Sequence, residues 1–466
     1  MLADRNTNGV FDDKLVLGMS AAVTEGLSTL GPVGKQALRG FLSYFDKVNV
    51  NGGVYGRRIE VKVEEDEYKA ELTREKAEIL IGGTPRQAFA LVAVLGSPNA
   101  LAAARLATDK KVLLFAPGSG ADELEEDPPA RYVFNVRARY SQEAEQLTAY
   151  ALNHLRVLPQ NVSVFGQGVS DLAGQNGAKD LDTFGAAGRR GVVERLKAQQ
   201  VEEKDVFAVS YDAAAPRVDT SRAIGDTLRW MATPAPPAPA TGAGRVAAAD
   251  GNITTAVVLA ALPNAAASFI CGLEREMAEV ASTGKVPTSW IGVAPTSQEL
   301  EQLKKVKTRR YLALSPVGIA LKEIFKAYCG DTKSPAARTV VATTVPDPTP
   351  GASSASAVLD FREDQAAYFT RHETETPEAV RTATVTSPIA LEGYLSAKLL
   401  VAGLRKQGPD LTTESFIDTL ETLSVDVGIG APFVFSSESH QATKRLYAVE
   451  IQEDHGLKPL GLLTPE

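Results

Sequence analysis

The chain has 466 residues, a formal net charge of −8 and a hydrophobic content of 44%. This size and composition predict a soluble globular protein of two or three domains. The acidic balance argues against binding to nucleic acid or to an anionic membrane surface, because no long basic run offsets it. No segment has the roughly 18 consecutive apolar residues of a membrane span, so we expect no membrane insertion.

The N-terminus and the two cysteines each leave an alternative open. Residues 1–14 are polar and lack the apolar stretch of a signal peptide, so either the protein is cytoplasmic or a signal peptide has been removed. Cys271 and Cys329 have no metal-ligand spacing. One disulfide is an alternative, but two buried free thiols are the favoured interpretation.

Strand and helix patterns alternate from residue 14 to residue 330, as expected of a parallel α/β sheet. Asn51-Gly52-Gly53 predicts a turn in which the glycines adopt positive φ. In the first part of the chain the pattern predicts strands at 14–19, 58–63, 90–95, 112–116 and 131–136. The helices predicted between these strands are 33–48, 71–81 and 100–111.

The alternation continues beyond residue 139, with one interruption. After Met231, residues 232–244 consist only of Ala, Pro, Thr and Gly. This composition predicts that 231–244 is an exposed insertion. Predicted strands are 161–165, 255–261, 288–293, 310–314 and 339–343. Predicted helices are 141–156, one ending near Phe184, one ending near Ser282, 357–370 and 389–408. The segments 433–435 and 445–451 predict an antiparallel hairpin.

Two of the predicted strands end in short polar loops, Gly96-Ser97-Pro98-Asn99 and Pro117-Gly118-Ser119-Gly120. A right-handed crossover makes these strands parallel neighbours. Their carboxyl ends then lie side by side, where open α/β sheets hold ligands. Both loops offer a hydroxyl and backbone amides, and neither carries an acid, a base or a metal ligand. This pattern predicts a site that holds a small molecule without reacting with it.

Ser97-Pro98 has two interpretations. Ser is a favoured N-cap and Pro is favoured in the first helical turn, so the dipeptide predicts the start of a helix and nothing more. The functional interpretation uses the same geometry, because a helix N-terminus with a free hydroxyl suits a carboxylate. Ser119 is open to the same pair of interpretations, as a turn residue or as part of a ligand site.

Motifs for metal binding, cofactor binding and catalysis are absent from the sequence. The four histidines are far apart, and no His-Glu-x-x-His or paired Cys-x-x-Cys pattern occurs. The Gly118-Ser119-Gly120 segment lacks the third glycine of a dinucleotide fingerprint, and no nucleophile elbow is present. We therefore expect no metal, no cofactor and no enzymatic activity.

Two segments carry a family resemblance. The first contains Asn49, Asn51-Gly52-Gly53 and Arg57-Arg58 and leads to an acidic turn at Asp66. The second begins at Leu391-Glu392-Gly393-Tyr394, passes through 404–412 and reaches Gly428-Ile429-Gly430 and Phe435-Ser436. With these segments, the chain resembles the periplasmic type I solute-binding proteins of ABC transporters, specifically the leucine/isoleucine/valine-binding family. The resemblance extends from residue 14 to about residue 463, outside 211–250.

The resemblance implies an α/β protein with the two-lobed type I periplasmic-binding-protein fold. Each lobe would be a mostly parallel sheet flanked by helices, with three inter-lobe crossings. Lobe 1 would comprise 13–138 and 346–432, and lobe 2 would comprise 139–345 and 433–466. The ligand would bind in the cleft, with hinge closure around it.

The resemblance also implies positions for the ligand. In lobe 1 it assigns the carboxylate of the ligand to the two polar loops, at Ser97, Pro98, Asn99, Gly118, Ser119 and Gly120. In lobe 2 it assigns ligand contacts to Tyr140, Leu172, Ala173, Pro263 and Val293. The aromatic residues and the acid that relatives carry in lobe 2 are missing here, which would leave a ligand ammonium unpaired and predicts a more apolar pocket.

The function implied is the periplasmic or extracytoplasmic solute-binding component of an ABC transporter. Such a protein binds a small amino acid or organic acid by hinge closure, without catalysis, and delivers it to an ABC transporter permease. The alternative is a ligand-sensing or interaction protein on the same fold with a degenerate cleft. Calorimetry with small metabolites distinguishes the two.

Overall fold

A computed structural model of the protein describes residues 8–28, 30–83, 87–168, 183–212, 218–233, 251–290, 292–318, 321–330, 337, 339–453 and 456–463. The chain forms two compact units. Unit 1 comprises Met1–Arg139 and Thr344–Arg445, and unit 2 comprises Tyr140–Thr343 and Leu446–Glu466. The chain therefore passes three times from one unit to the other, and each unit contains its own sheet and buried core.

The elements alternate between strand and helix along most of the chain, as predicted. The strands are β1 (Lys14–Ser20), β2 (Arg58–Glu64), β3 (Ala90–Val92), β4 (Leu113–Phe115), β5 (Val133–Phe134), β6 (Val162–Gly168), β7 (Phe207–Asp212), β8 (Ile253–Ala260), β9 (Val306–Ala313), β10 (Thr339–Thr343), β11 (Ser424–Asp426), β12 (Pro432–Val434), β13 (Leu446–Ile451) and β14 (Leu457–Leu463). The helices are α1 (Gly31–Val50), α2 (Ala70–Ile81), α3 (Ser97–Lys110), α4 (Tyr140–Asn153), α5 (Thr183–Lys197), α6 (Ser221–Ala232), α7 (Pro263–Thr283), α8 (Ser297–Lys305), α9 (Ser315–Gly318), α10 (Leu321–Cys329), α11 (Ser356–His372), α12 (Glu378–Val385), α13 (Pro388–Gln407) and α14 (Thr413–Leu420).

The sheet of unit 1 has five strands in the order β2-β1-β3-β4-β5, and all of its pairings are parallel. The three central strands bury almost all of their side chains. This burial explains why β3 and β4 are continuous apolar runs in the sequence, since a parallel sheet is covered on both faces. The predicted parallel pairing of β3 with β4 is confirmed.

Helices α1 and α13 pack closely in unit 1 because each has a glycine at the contact. A Cβ atom on Gly40 would lie 1.9 Å from the carbonyl oxygen of Ala390, and one on Gly393 would lie 2.5 Å from that of Ala37. Any larger side chain at these positions would push the helices apart. This contact joins the N-terminal segment of unit 1 to its C-terminal segment.

The sheet of unit 2 has seven strands in the order β14-β13-β10-β9-β8-β6-β7. The five strands from β10 to β7 are parallel, whereas β13 and β14 are antiparallel to their neighbours. Both units therefore have parallel-dominated sheets flanked by helices. This agrees with the predicted fold class.

The boundary predicted for the insertion at 231–244 is wrong at its start. Met231 and Ala232 are fully buried in the last turn of α6, and the ring of Trp230 stacks on Phe207 of β7 at 5.4 Å. Residues 234–250 lie outside the described residues. The composition of 211–250 predicted a low-complexity segment, so α6 and the strand β7 that precedes it were not predicted.

The favoured interpretation of the cysteines as free thiols is also wrong. Cys271 of α7 and Cys329 of α10 form a disulfide, with their Cα atoms 5.2 Å apart and a sequence separation of 58. Helices α7 and α10 pack against each other, so the fold brings together two residues whose separation gave no signal of contact.

Two predicted β-structures do not form. Residues 288–290, predicted to begin a strand, form a turn in which the backbone N–H groups of Thr288 and Ser289 donate to the Glu276 carboxylate at 2.7 and 3.1 Å. The predicted hairpin of 433–435 with 445–451 is wrong because β12 pairs with β11, and β13 pairs with β10 and β14. β-propensity identified the C-terminal strands without identifying their partners.

In the part of the chain that the structure describes, no helix is both long enough and apolar enough to cross a membrane.

Candidate functional site

Strands β3 and β4 each end in an alanine with a left-handed backbone conformation. Ala93 has φ 54° and Ala116 has φ 50°, and the register Val92↔Phe115 makes the two positions equivalent. Side-chain-bearing residues rarely adopt positive φ, and such strain concentrates at ligand sites. The two loops therefore leave the carboxyl edge of the sheet through the same unusual turn.

The two loops are hydrogen-bonded to each other beyond the ends of their strands. Gly96 N–H donates to the carbonyl of Gly118 at 3.1 Å, and Gly118 N–H donates to the carbonyl of Val94 at 2.8 Å. Leu95 and Gly118 form a further parallel bridge. The sequence prediction that these loops lie side by side is confirmed.

Ser97 and Ser119 meet at this junction, with their hydroxyl oxygens 3.1 Å apart. Ser97 is the first residue of α3 and Gly96 occupies the N-cap position, so the interpretation of Ser97 as the helix cap is wrong. Its hydroxyl is turned towards Ser119 instead. The Ser119 oxygen also accepts the N–H of Ala121 at 3.1 Å.

The pair has one hydroxyl proton more than its own hydrogen bond uses. Each serine hydroxyl carries one proton, and the Ser97–Ser119 bond engages one of the two. Ser119 is fully buried, whereas Ser97 is 9% exposed. The arrangement in which Ser119 donates to Ser97 therefore leaves the Ser97 proton for an external acceptor.

Polar side chains lie at the carboxyl ends of all five strands of the parallel sheet of unit 1. They are Asp66 after β2, Ser20 at the end of β1, Ser97 and Asn99 after β3, Ser119 after β4 and Asn135 after β5. The Asp66 carboxylate accepts from Ser20 at 3.2 Å and from Asn99 Nδ2 at 3.4 Å. At the other end, Asn135 Nδ2 donates to the carbonyl of Ser119 at 3.1 Å. Both serine loops are thus braced by neighbouring strands.

Asp66 in this row and Glu125 beside Asn135 carry carboxyl groups, and the sequence prediction assigned neither to the site. Burial raises the pKa of Asp66, although hydrogen bonds from Tyr68, Thr73 and Ser20 oppose the effect. Burial raises the pKa of Glu125 to about 8, against the opposing charge of Arg139. The edge therefore carries less negative charge near neutral pH than its composition suggests.

Tyr68 is a further side chain at this edge that the sequence prediction missed. A Cβ atom on Gly96 would lie 2.3 Å from Tyr68 Cε2 and 2.6 Å from its hydroxyl oxygen. The ring therefore covers the residue that precedes Ser97. Gly96 also has φ +90°, so both its conformation and this close approach require glycine.

The remaining lobe 1 predictions fall in the same place. Pro98 occupies the first turn of α3 and is exposed, whereas Asn99 is fully buried beside Asp66. Gly120 is buried in the loop after β4. The structure thus gathers all six lobe 1 positions at one edge of one sheet.

The predicted lobe 2 positions have different surroundings. Tyr140 begins α4 and is buried, with its ring 4.6 Å from Phe184 of α5. Pro263 begins α7 directly after β8 and is half-buried, whereas Val293 is 90% exposed. Leu172 and Ala173 lie outside the described residues.

Unit 2 has its own hydrogen bonds at the carboxyl ends of its strands. The hydroxyl of Tyr211, at the end of β7, accepts the N–H of Leu262 at 2.9 Å and donates to Gln167 of β6 at 3.3 Å. The buried Glu143 carboxylate accepts the N–H and the hydroxyl of Ser315, each at 2.8 Å. A correct prediction of β7 would have pointed to Tyr211.

Comparison with known proteins relates this chain to periplasmic binding proteins, both by sequence and by fold. A sequence model of the periplasmic binding protein family matches residues 16–220 and 325–456. No match is found among curated proteins. The structure of a possible leucine/isoleucine/valine-binding protein from Rhodopirellula baltica SH 1 is 20% identical, with a TM-score of 0.68 and 97% of each chain covered.

Two further similar structures contain small molecules. A solute-binding protein of an ABC transporter from R. palustris, in complex with benzoate, is 16% identical, with a TM-score of 0.64 and 97% of each chain covered. A branched-chain amino acid ABC transporter protein from Thermus thermophilus with bound valine is 14% identical, with a TM-score of 0.65, covering 97% of this chain and 96% of that chain. At these identities the likeness shows the fold, and it confirms the predicted fold class.

Proposed function

Because the chain belongs to the periplasmic binding protein family, we propose that it is the extracytoplasmic solute-binding component of an ABC transporter. Its ligand is a small molecule with a carboxylate, which the protein holds without reacting and presents to the transporter permease. The observation that carries this proposal is the Ser97–Ser119 pair at the N-terminus of α3. The family consists of binding proteins rather than enzymes.

The pair favours an anion for two reasons. The Ser97 hydroxyl has a proton to donate, and a hydrogen bond to a charged acceptor contributes about 1.5–3 kcal/mol. Helix α3 has 14 residues, and its N-terminus adds backbone N–H groups and a favourable dipole. Valine and benzoate, the molecules bound in two similar structures, both have a carboxylate group. This shared chemistry supports the assignment.

We assign the remaining contacts as the resemblance suggests. The loop Gly118–Gly120 completes the carboxylate site, and unit 2 contributes Tyr140, Pro263 and the segment containing Leu172 and Ala173. Val293, which is 90% exposed, is assigned to the site on the resemblance alone. The Cys271–Cys329 disulfide supports an extracytoplasmic location, since such bonds persist in oxidising compartments.

Isothermal titration calorimetry with amino acids, aliphatic acids and aromatic acids tests this proposal. We expect at least one carboxylate to bind, and we expect Ser97→Ala to weaken it about 10- to 100-fold. Ser43→Ala is the control, because Ser43 is also buried but its hydroxyl donates to the carbonyl of Gly40 within α1. If no carboxylate binds, the proposal fails and the alternative of a sensor with a degenerate cleft replaces it.

A further inference from the structure

The segment 65–68 is held in a strained conformation next to the serine pair. Glu67 has φ 52° and Tyr68 has φ 60°, two consecutive left-handed residues that are not glycine. Each such residue costs on the order of 1 kcal/mol or more. Strain of this kind concentrates at functional sites, so we expect its neighbours to supply a reason beyond the connection of β2 to α2.

Two carboxylates hold the segment in place. Glu65 accepts the N–H groups of Val23, Thr24 and Glu67 at 2.8–3.0 Å. Asp66 accepts the N–H of Tyr68 at 3.0 Å and the hydroxyl of Thr73 at 2.9 Å. These hydrogen bonds fix the backbone at Tyr68 and therefore the direction in which its side chain leaves the backbone.

The Tyr68 ring is placed where a ligand of Ser97 would meet it. The ring lies against Gly96, immediately before Ser97 at the start of α3. The side chain is half-buried and is not part of the hydrophobic core. A half-buried aromatic ring held by strain at a binding edge provides a flat surface for the part of the ligand beyond its carboxylate.

We infer that Tyr68 is the specificity-determining residue of the unit 1 site, and that the ligand is an aromatic carboxylic acid whose ring packs on Tyr68 while its carboxylate binds Ser97. This inference rests on the proposed function and deepens it. An aromatic pair contributes about 0.5–1.5 kcal/mol beyond the area it buries. An aliphatic ring of the same size lacks that contribution.

Benzoate and cyclohexanecarboxylate are the matched probes, because they share the carboxylate and the six-membered ring but differ in aromaticity. We expect wild-type protein to prefer benzoate about 3- to 10-fold in calorimetry. Tyr68→Leu removes this preference, whereas Tyr68→Phe keeps it. Ser97→Ala weakens both probes equally and leaves their ratio unchanged.

Tyr55→Leu is the control for Tyr68→Leu. Tyr55 also has a positive φ, 52°, but it is 52% exposed and its hydroxyl donates to Arg405. The control variant therefore carries the same backbone strain without touching the site, and we expect its benzoate affinity to equal that of wild type.

A second pair of variants moves Tyr68 without replacing it. Gly96→Ala forces the ring away, because the new Cβ overlaps it, whereas Gly52→Ala has nearly the same φ, +92°, and no atom within 4 Å. We expect only Gly96→Ala to lower the benzoate preference.

The outcomes separate this inference from the proposal on which it rests. If wild-type protein binds other carboxylates but not benzoate, or if Tyr68→Leu leaves the benzoate preference intact, Tyr68 does not set specificity and the proposed function stands. If no carboxylate binds at all, the proposed function fails and this inference fails with it.

Discussion

The hydroxyl oxygens of Ser97 and Ser119 lie 3.1 Å apart, and the Ser119 oxygen also accepts the N–H of Ala121. These bonds form a chain that runs from a backbone amide through two hydroxyls to whatever Ser97 binds. Successive hydrogen bonds of this kind polarise one another. Because Ser119 is fully buried and its oxygen accepts the Ala121 N–H, we predict that Ser119 acts on a ligand through Ser97 rather than by direct contact.

A double-mutant cycle tests this order of action. We expect Ser97→Ala to weaken carboxylate binding strongly and Ser119→Ala to weaken it by only about 2- to 5-fold. In the Ser97→Ala background, Ser119→Ala has no further effect, because the residue through which it acts is gone. Calorimetry on the four proteins measures the coupling. Independent, multiplicative effects would mean that Ser119 contacts the ligand directly.

Glu125 predicts a pH dependence of stability in unit 1. Its pKa is raised from 4.5 to about 8 in the folded protein, mainly by burial. Between these values the folded protein retains a proton that the unfolded chain has lost, so the free energy of unfolding falls as pH rises from 4.5 to 8. The full contribution is on the order of a few kcal/mol.

Urea denaturation of Glu125→Gln between pH 4.5 and pH 8 checks this expectation. The variant lacks the ionisable group. The difference between its free energy of unfolding and that of wild type should therefore shift in favour of the variant as pH rises. Glu126→Gln is the control, since that neighbouring side chain is exposed. Parallel pH profiles for wild type and Glu125→Gln would contradict the prediction.

The surroundings of Glu392 in α13 predict a large loss of stability when its negative charge is removed. It accepts hydrogen bonds from Arg137, at 3.5 Å, and from the Thr344 hydroxyl, near the point where the chain first leaves unit 1 and the point where it returns. Arg137 is 4% exposed, so Glu392→Gln removes a negative charge that lies beside a buried cation. We expect a loss of about 3 kcal/mol in urea denaturation.

The exposed pair of Lys14 and Glu60, at 3.2 Å, provides the comparison. Glu60→Gln should cost less than about 1 kcal/mol, because water screens that pair. Equal losses for the two variants would show that Glu392 makes no special contribution.

The Cys271–Cys329 disulfide predicts a dependence of stability on redox conditions. Closing a loop of 58 residues stabilises the folded state by about 4 kcal/mol in the chain-entropy model. The double variant Cys271→Ala/Cys329→Ala should therefore unfold at lower urea concentration than wild type, and reducing agent should affect only the wild type. If wild-type protein gave identical urea curves with and without reductant, the disulfide would not stabilise the fold as predicted.

Local pattern was enough to predict the part of the site that one stretch of chain supplies. The β3–α3–β4 unit, with Ser97 and Ser119 at its strand ends, follows from apolar runs and a Ser-Pro helix start. Tyr68 was missed because its importance depends on a positive φ and on contact with Gly96, neither of which has a periodic signal. The disulfide and the β11–β12 pairing were missed because they join segments by tertiary packing alone.

The contact of Gly40 with Ala390 has a consequence for biosynthesis. Helix α1 is made early, but α13, which covers it, is translated only after the whole segment Tyr140–Thr343 of unit 2. Unit 2 in turn receives β13 and β14 last of all. A nascent chain therefore holds two incomplete cores at once, and the apolar surface of such intermediates makes them prone to aggregation.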